Sequence, residues 1–203
     1  MLILNLAAGK FHPLPMDEDN ILMPRYTLNV DTSYFTENTP NMVEDDIISW
    51  LGDEDRLTKS VALNMDVFEF MERTRVKFDR VVIYRFLEHV SFTQVEYFIY
   101  LVSTVLKERG FVDVIVPNYE QLAELLLSEP NHHDNPVFNF EAHNILLTTE
   151  LLNEPSCPHA SIWTPHRMNR FWQLEGRFRV AKQNPAFKFD DRDIYLRSIM
   201  ERL

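Results

Sequence analysis

At 203 residues, with 45% hydrophobic and 12% aromatic side chains, the chain suffices for one ordinary domain with a full core and is too apolar for disorder. Its formal net charge of −11 speaks against nucleic acid as a partner, because phosphate binding needs a basic face and none stands out. The lone Cys157 excludes an internal disulfide, no apolar run approaches the ~18 residues of a membrane span, and the start MLILNLAAGK lacks the basic region of a signal peptide, so a soluble cytoplasmic protein is expected.

Strand-like apolar runs alternate with helical periodicity along the chain, the pattern of an α/β fold in which helices wrap a mostly parallel sheet. Leu2–Leu6 reads as the first buried strand and breaks into a turn of tiny residues, Ala7-Ala8-Gly9, before Lys10. Thr27–Val30 is the second strand, with Asp31 at its tip. Pro13, Pro15 and Pro24 lie between them and argue for a loop in place of a long helix. Asn41–Leu51 has helical spacing and a stop at Gly52. Ser60–Met65 is the third strand, tipped by Asp66, and Val67–Arg73 forms a short helix.

Phe78-Asp79-Arg80 leads into Val81–Tyr84, dense enough in apolar residues for a central parallel strand. The spacing then predicts a long helix over Thr93–Glu108, stopped by Arg109-Gly110, and a fifth strand over Phe111–Val116. Tyr119–Leu127 is helical, Ser128–Pro136 a loop, and Phe138–Leu152 a further helix followed by the loop NEPSCPHA. Pro165–Glu175 is a helix with proline at its first position and Gly176 beyond its end. Strands over Arg177–Lys182 and Ile194–Met200 close the chain, and no repeat or linker divides it.

A strand, a turn of small residues and a second strand tipped by a carboxylate make the front half of a nucleotide-type pocket. Small residues let a ligand approach bare backbone, and Asp31 is placed to accept hydrogen bonds from ribose hydroxyls. A turn-forming or helix-capping role is the alternative for Asp31. Asp66 likewise serves as N-cap of the helix starting at Val67 or faces a base, and the two roles can coexist.

With these elements placed, the order of motifs resembles the class I S-adenosylmethionine-dependent methyltransferases, in particular the small-molecule type with an LEHV signature. LNLAAGK (Leu4–Lys10) resembles the glycine-rich first motif, and NVD (Asn29–Asp31) the second-strand acid. FDRVVIYRFLEHV (Phe78–Val90) resembles the fourth strand with its signature, and VLKERGFVDVIVPN (Val105–Asn118) the turn into the fifth. SIWTPHRMNRFWQLEGRFRV and DIYLRSIMERL resemble the last helix and closing strand pair. The resemblance implies a three-layer α/β/α, Rossmann-like, seven-stranded sheet, mostly parallel with an antiparallel last strand. It implies one domain over residues 1–203, with 136–165 as an insertion over the strand tips.

The implied cofactor is S-adenosylmethionine. Asn5, Ala7, Ala8 and Gly9 would meet its methionine part, Asp31 the ribose, and Asp66 with Val67 the adenine. Arg85 would lie near the methionine end and the sulfonium. The implied partner is a small-molecule acceptor, methylated on oxygen or nitrogen, and a homodimer is one assembly left open. Two departures stand out: Ala7 replaces the first glycine of the turn, and Lys10 stands near the place of a third. Alanine costs little at negative φ and roughly 1 kcal/mol or more at positive φ.

His89 is the candidate general base, since an unperturbed imidazole has a pKa of ~6.5. Hydrogen-bond bracing of the helix start by Glu88 and His89 is the structural alternative. In related ubiquinone-pathway enzymes a similar segment holds a divalent metal, but here Arg85 replaces the first acid and would repel a cation, so no metal is expected. His132-His133-Asp134 and Cys157-Pro158-His159 lack zinc spacing and read as solvated loop residues. Tyr84, Phe86, Phe92, Tyr97, Phe98 and Tyr100 read as core, whereas Trp163, Phe138 and Phe140 are candidates for lining an acceptor pocket. An inactive scaffold of the same fold is the rival reading, motivated by the altered first turn. A dinucleotide oxidoreductase is disfavoured, because the turn lacks G-x-G-x-x-G spacing.

Overall fold

The computed structural model describes residues 1–6, 25–31, 58–128, 159–189 and 192–203. The expected small-residue turn, the helices over Asn41–Leu51 and Phe138–Leu152, and the His132-His133-Asp134 segment lie outside these residues. The strands are β1 (Leu2–Leu6), β2 (Arg25–Asp31), β3 (Thr58–Asn64), β4 (Phe78–Tyr84), β5 (Leu106–Pro117), β6 (Phe178–Phe189) and β7 (Arg192–Arg202). The helices are α1 (Val67–Arg73), α2 (Phe92–Val105), α3 (Tyr119–Ser128) and α4 (Pro165–Gln173), with 3₁₀ turns at Leu87–His89 and Leu174–Gly176.

The strands form one mixed sheet in the order β3-β2-β1-β4-β5-β7-β6. Pairings from β3 across to β5 are parallel, while β7 runs antiparallel to both β5 and β6. Strand periodicity sends alternate residues to opposite faces. In β4, Val81 and Ile83 join the large core with Leu4 and Leu6, whereas Val82 and Tyr84 join Ile3, Ile115 and Tyr195 behind the sheet. Burial on both faces explains why β4 and β5 read as continuous apolar runs.

Helix α1 starts where Asp66 accepts hydrogen bonds from the Phe68 and Glu69 amides, at 2.9 and 3.1 Å. In α2, Val95, Phe98, Val102 and Val105 point into the core, each burial contributing about 1.5–3 kcal/mol. Tyr97 and Tyr100 correct the all-core reading of the aromatics: they lie on the outer face, 46% and 43% exposed. Helix α4 is capped by the Thr164 hydroxyl and carries Pro165 in its first turn, as its sequence implies. Gly176 follows at φ +64, the left-handed conformation that ends a helix.

A second correction concerns Leu106–Glu108, expected as the last turn of α2 ahead of a stop at Arg109-Gly110. The helix stops at Val105 and β5 begins at Leu106, which pairs with Phe78. Arg80 already pairs with Phe111, so the residues between bulge out of the ladder. Arg109 takes φ +61 within that bulge, and a Cβ on Gly110 would meet Leu106 Cγ at 2.8 Å and the Lys107 carbonyl at 2.9 Å. The apolar Leu106 carries the helical pattern on to Glu108, three positions past the observed end, while the backbone needs of the bulge end it.

Candidate active site

In parallel sheets of this kind, ligands bind beyond the carboxyl ends of the strands, where the strand order reverses direction. Here the reversal falls between β1 and β4. Leu6 ends β1 beside Val30 and Ile83, Asp31 ends β2 beside Asn64 of β3, and Tyr84 ends β4 beside Ile115. The ends of these strands therefore share one edge, and Asp31, Asp66 and Arg85 all sit along it.

Each candidate has a defined place. Asn5 is buried and donates from Nδ2 to Asn29 Oδ1 at 2.9 Å, bridging β1 and β2. Asp66 is exposed and caps α1, while the Val67 side chain is buried. Any contact of Val67 with a ligand thus falls to its main chain. Ala7, Ala8 and Gly9 lie outside the described residues. Arg85 adopts φ +53, uncommon for a residue with a Cβ, while its N–H bonds the Ile115 carbonyl at 2.8 Å. Its guanidinium lies 5.9 Å from the centroid of the Tyr195 ring.

Beyond Arg85, the chain turns through Leu87–His89. The Glu88 carbonyl accepts from the Ala160 and Ser161 amides at 2.7 and 2.9 Å, and Ser161 Oγ donates to the Leu87 carbonyl at 2.9 Å. These bonds carry His159 to the turn, so that its ring lies 5.0 Å from that of His89. Tyr119, at the start of α3, pairs its hydroxyl with His159 Nδ1 at 2.7 Å. Burial, helped by the neighbouring His89 and Arg85, pushes the His159 imidazole down to about 4, so it is neutral near pH 7. Donor atoms of Glu88, His89 and His159 all lie within 4.8 Å of one another.

His159, read from the sequence as a solvated loop residue, is instead half-buried beside the His89 ring, seventy positions away along the chain. Tyr119 was missed, since it reads only as the start of a helix. Trp163 corrects the pocket reading: its indole is fully buried, donates to Ser161 Oγ at 2.9 Å and packs against Phe92 and Phe171. Phe138 and Phe140 lie outside the described residues.

The sheet order, with its reversal between β1 and β4, defines a Rossmann-like α/β fold of the kind found in class I S-adenosylmethionine-dependent methyltransferases. The particular likenesses are to solved structures. A methyltransferase of Methanosarcina mazei described as S-adenosylmethionine-dependent aligns over 100% of this chain and 92% of its own, at 14% identity and TM-score 0.55. The structure of DhpI in complex with SAH aligns over 99% of this chain and 76% of its own, at 13% identity and TM-score 0.55. The pyocyanin biosynthetic protein PhzM aligns over 100% of this chain but 50% of its own, at 10% identity and TM-score 0.54, so this chain spans about half its length. No family profile matches the sequence, and no curated protein matches it.

Proposed function

We propose that this protein is a methyltransferase that takes its methyl group from S-adenosylmethionine and passes it to the oxygen or nitrogen of a small-molecule acceptor. The observation that carries this reading is the reversal of strand order between β1 and β4, with Asp31, Asp66 and Arg85 at the strand ends beside it. In this reading the full three-layer, seven-stranded arrangement holds, and the turn Ala7-Ala8-Gly9 meets the methionine part of the cofactor. Asn5 acts from beneath that turn by fixing β1 against β2. Asp31 holds the ribose hydroxyls, Asp66 and the Val67 main chain flank the adenine, and Arg85 lies near the methionine end. The reaction is an in-line displacement at a sulfonium, so alignment of the acceptor is the main demand on the protein. His89 is assigned to the acceptor end, and of the expected insertion 136–165 only the part before the buried Ser161 and Trp163 is assigned to a cover over the strand tips.

Isothermal titration with S-adenosylhomocysteine tests the reading. Binding in the roughly micromolar range usual for metabolite sites is expected, lost in Asp31→Ala with the fold intact by circular dichroism. No heat at millimolar ligand overturns the cofactor assignment and leaves a scaffold of the same fold.

A further inference from the structure

The outer flank of α2 and α4 carries a surface that methyl transfer does not use. Among the described residues, four of the six exposed large hydrophobic side chains gather there: Tyr97, Tyr100, Ile162 and Leu174. Helical spacing explains the grouping. Phe92, Glu96 and Tyr100 stand a turn apart along α2, and Arg167, Phe171 and Leu174 along α4 and the 3₁₀ turn after it. Between these rows lies a groove whose walls include Tyr100, Leu174 and Arg177. At one end the Phe92 and Phe171 rings stack at 6.0 Å, with the Arg167 guanidinium 4.6 Å from the Phe92 centroid. At the other, the Arg177 guanidinium lies 5.1 Å from the Tyr100 centroid.

From this arrangement we propose that the groove between α2 and α4 docks an acidic amphipathic helix of a partner protein. Charge selects the acid. In a chain of net charge −11, the stretch from Arg167 to Lys182 runs against the average, with Arg167, Arg170, Arg177, Arg179 and Lys182 against Glu175. A guanidinium seated on an aromatic ring keeps its edge donors for a carboxylate, so Arg167 and Arg177 offer one at each end. The overall negative charge does not forbid such a partner, because exposed charges beyond about 8 Å are largely screened at physiological salt.

Shape selects the helix. Both walls are helical, and a third helix laid along them sets apolar anchors at i, i+4 and i+7 between the rows. The wall from Arg167 to Leu174 runs about 10 Å at 1.5 Å per residue, the length of two turns of such a partner. Carboxylates one turn outside the anchors then meet the arginines. A second copy of this chain fits less well, since isologous pairing would set the arginine-bearing rim against itself. An anionic membrane fits less well too, because Phe92 and Phe171 pack on each other and on Trp163 instead of protruding. The groove lies on the helical flank of the sheet, so this inference survives or fails independently of cofactor binding.

The test is titration of the ¹⁵N-labelled full chain with a synthetic alanine-based helix that carries leucines at i, i+4 and i+7 and glutamates in the turns on either side. Amide shifts centred on α2 and α4 are expected, saturating below about 1 mM peptide and weakening with added salt. A control peptide with lysines in place of the glutamates should leave those amides unmoved. Arg177→Glu and Tyr100→Ser, both at exposed positions, should each weaken binding by about 10-fold or more with the circular dichroism spectrum unchanged. S-adenosylhomocysteine should give either variant the same heat as the parent. No groove shifts at about 1 mM peptide, equal binding of the lysine peptide, or indifference to both substitutions overturns the proposal. A dimer in sedimentation that Tyr100→Ser dissolves would overturn it in favour of a second copy, and binding to phosphatidylserine vesicles lost in Arg177→Glu in favour of a membrane.

Discussion

Arg85 holds φ +53 at the end of β4, a conformation that costs a residue with a Cβ roughly 1–2 kcal/mol. Such strain persists where surrounding bonds over-determine it, here the Arg85 N–H to the Ile115 carbonyl. A residue kept in that state at a strand tip has its side chain selected for something other than local stability. Arg85→Gly should therefore leave the urea midpoint unchanged or raise stability by up to about 1 kcal/mol, while S-adenosylhomocysteine affinity falls. A clear loss of stability with affinity unchanged would instead make the guanidinium a structural group. In the sequence, Arg85 was legible as a residue near the site, because it follows a strand of unmistakable composition. Its positive φ was not, since no glycine, asparagine or aspartate marks the position.

At the scale of elements, α1, β1 and the core of β4 were readable because caps, apolar runs and periodicity agreed. The junction between α2 and β5 was not. There, Leu106 satisfies a helical and a strand pattern equally, and pairing with Phe78 decides the outcome. What fixes that junction is Asp79, whose carboxylate accepts from the Leu2 amide and from Lys107 Nζ, both at 2.7 Å. Burial alone would raise its pKa, but the Leu2 hydrogen bond and the Lys107 charge together hold it below the ordinary carboxylate value. A carboxylate depressed in the folded state stabilises above its unfolded pKa of about 3.9, and that stabilisation is lost as pH falls through the folded value. Because the pair is largely solvated, screening limits the effect to about 0.5–1 kcal/mol. Asp79→Asn should lower the urea midpoint slightly at pH 7, and the gap from the parent should narrow steadily below about pH 4. A gap that stays constant down to pH 3 would show that shape, and not charge, carries the contact.

At the scale of the molecule, the sheet's change from parallel to antiparallel is clamped by a charge no apolar pattern announces. Asp113 of β5 is fully buried and receives Arg80 of β4 at 2.5 Å, with Arg197 of β7 at 3.0 and 2.6 Å on its two oxygens. The Tyr84 hydroxyl donates to it at 3.1 Å, and burial with the Asp113 charge drives the Tyr84 phenol well above its usual pKa. Neighbouring strands are thus joined behind the edge that carries Arg85, and Tyr195 of β7 lies under the Arg85 guanidinium. Removing one member of such a group leaves buried charge without its partner, which costs about 3–5 kcal/mol. Against a total stability of about 5–15 kcal/mol, Asp113→Ala should shift the urea midpoint further than any surface change. Replacing the whole group with apolar residues (Arg80→Met, Asp113→Val and Arg197→Leu together) should recover most of that loss, since paired charges in a core stabilise little beyond well-packed hydrophobes. Recovery of stability with weakened S-adenosylhomocysteine binding would mean that the clamp sets where β7 presents Tyr195 to Arg85. Recovery of both would make it a fastening of the sheet with no part in the ligand crevice.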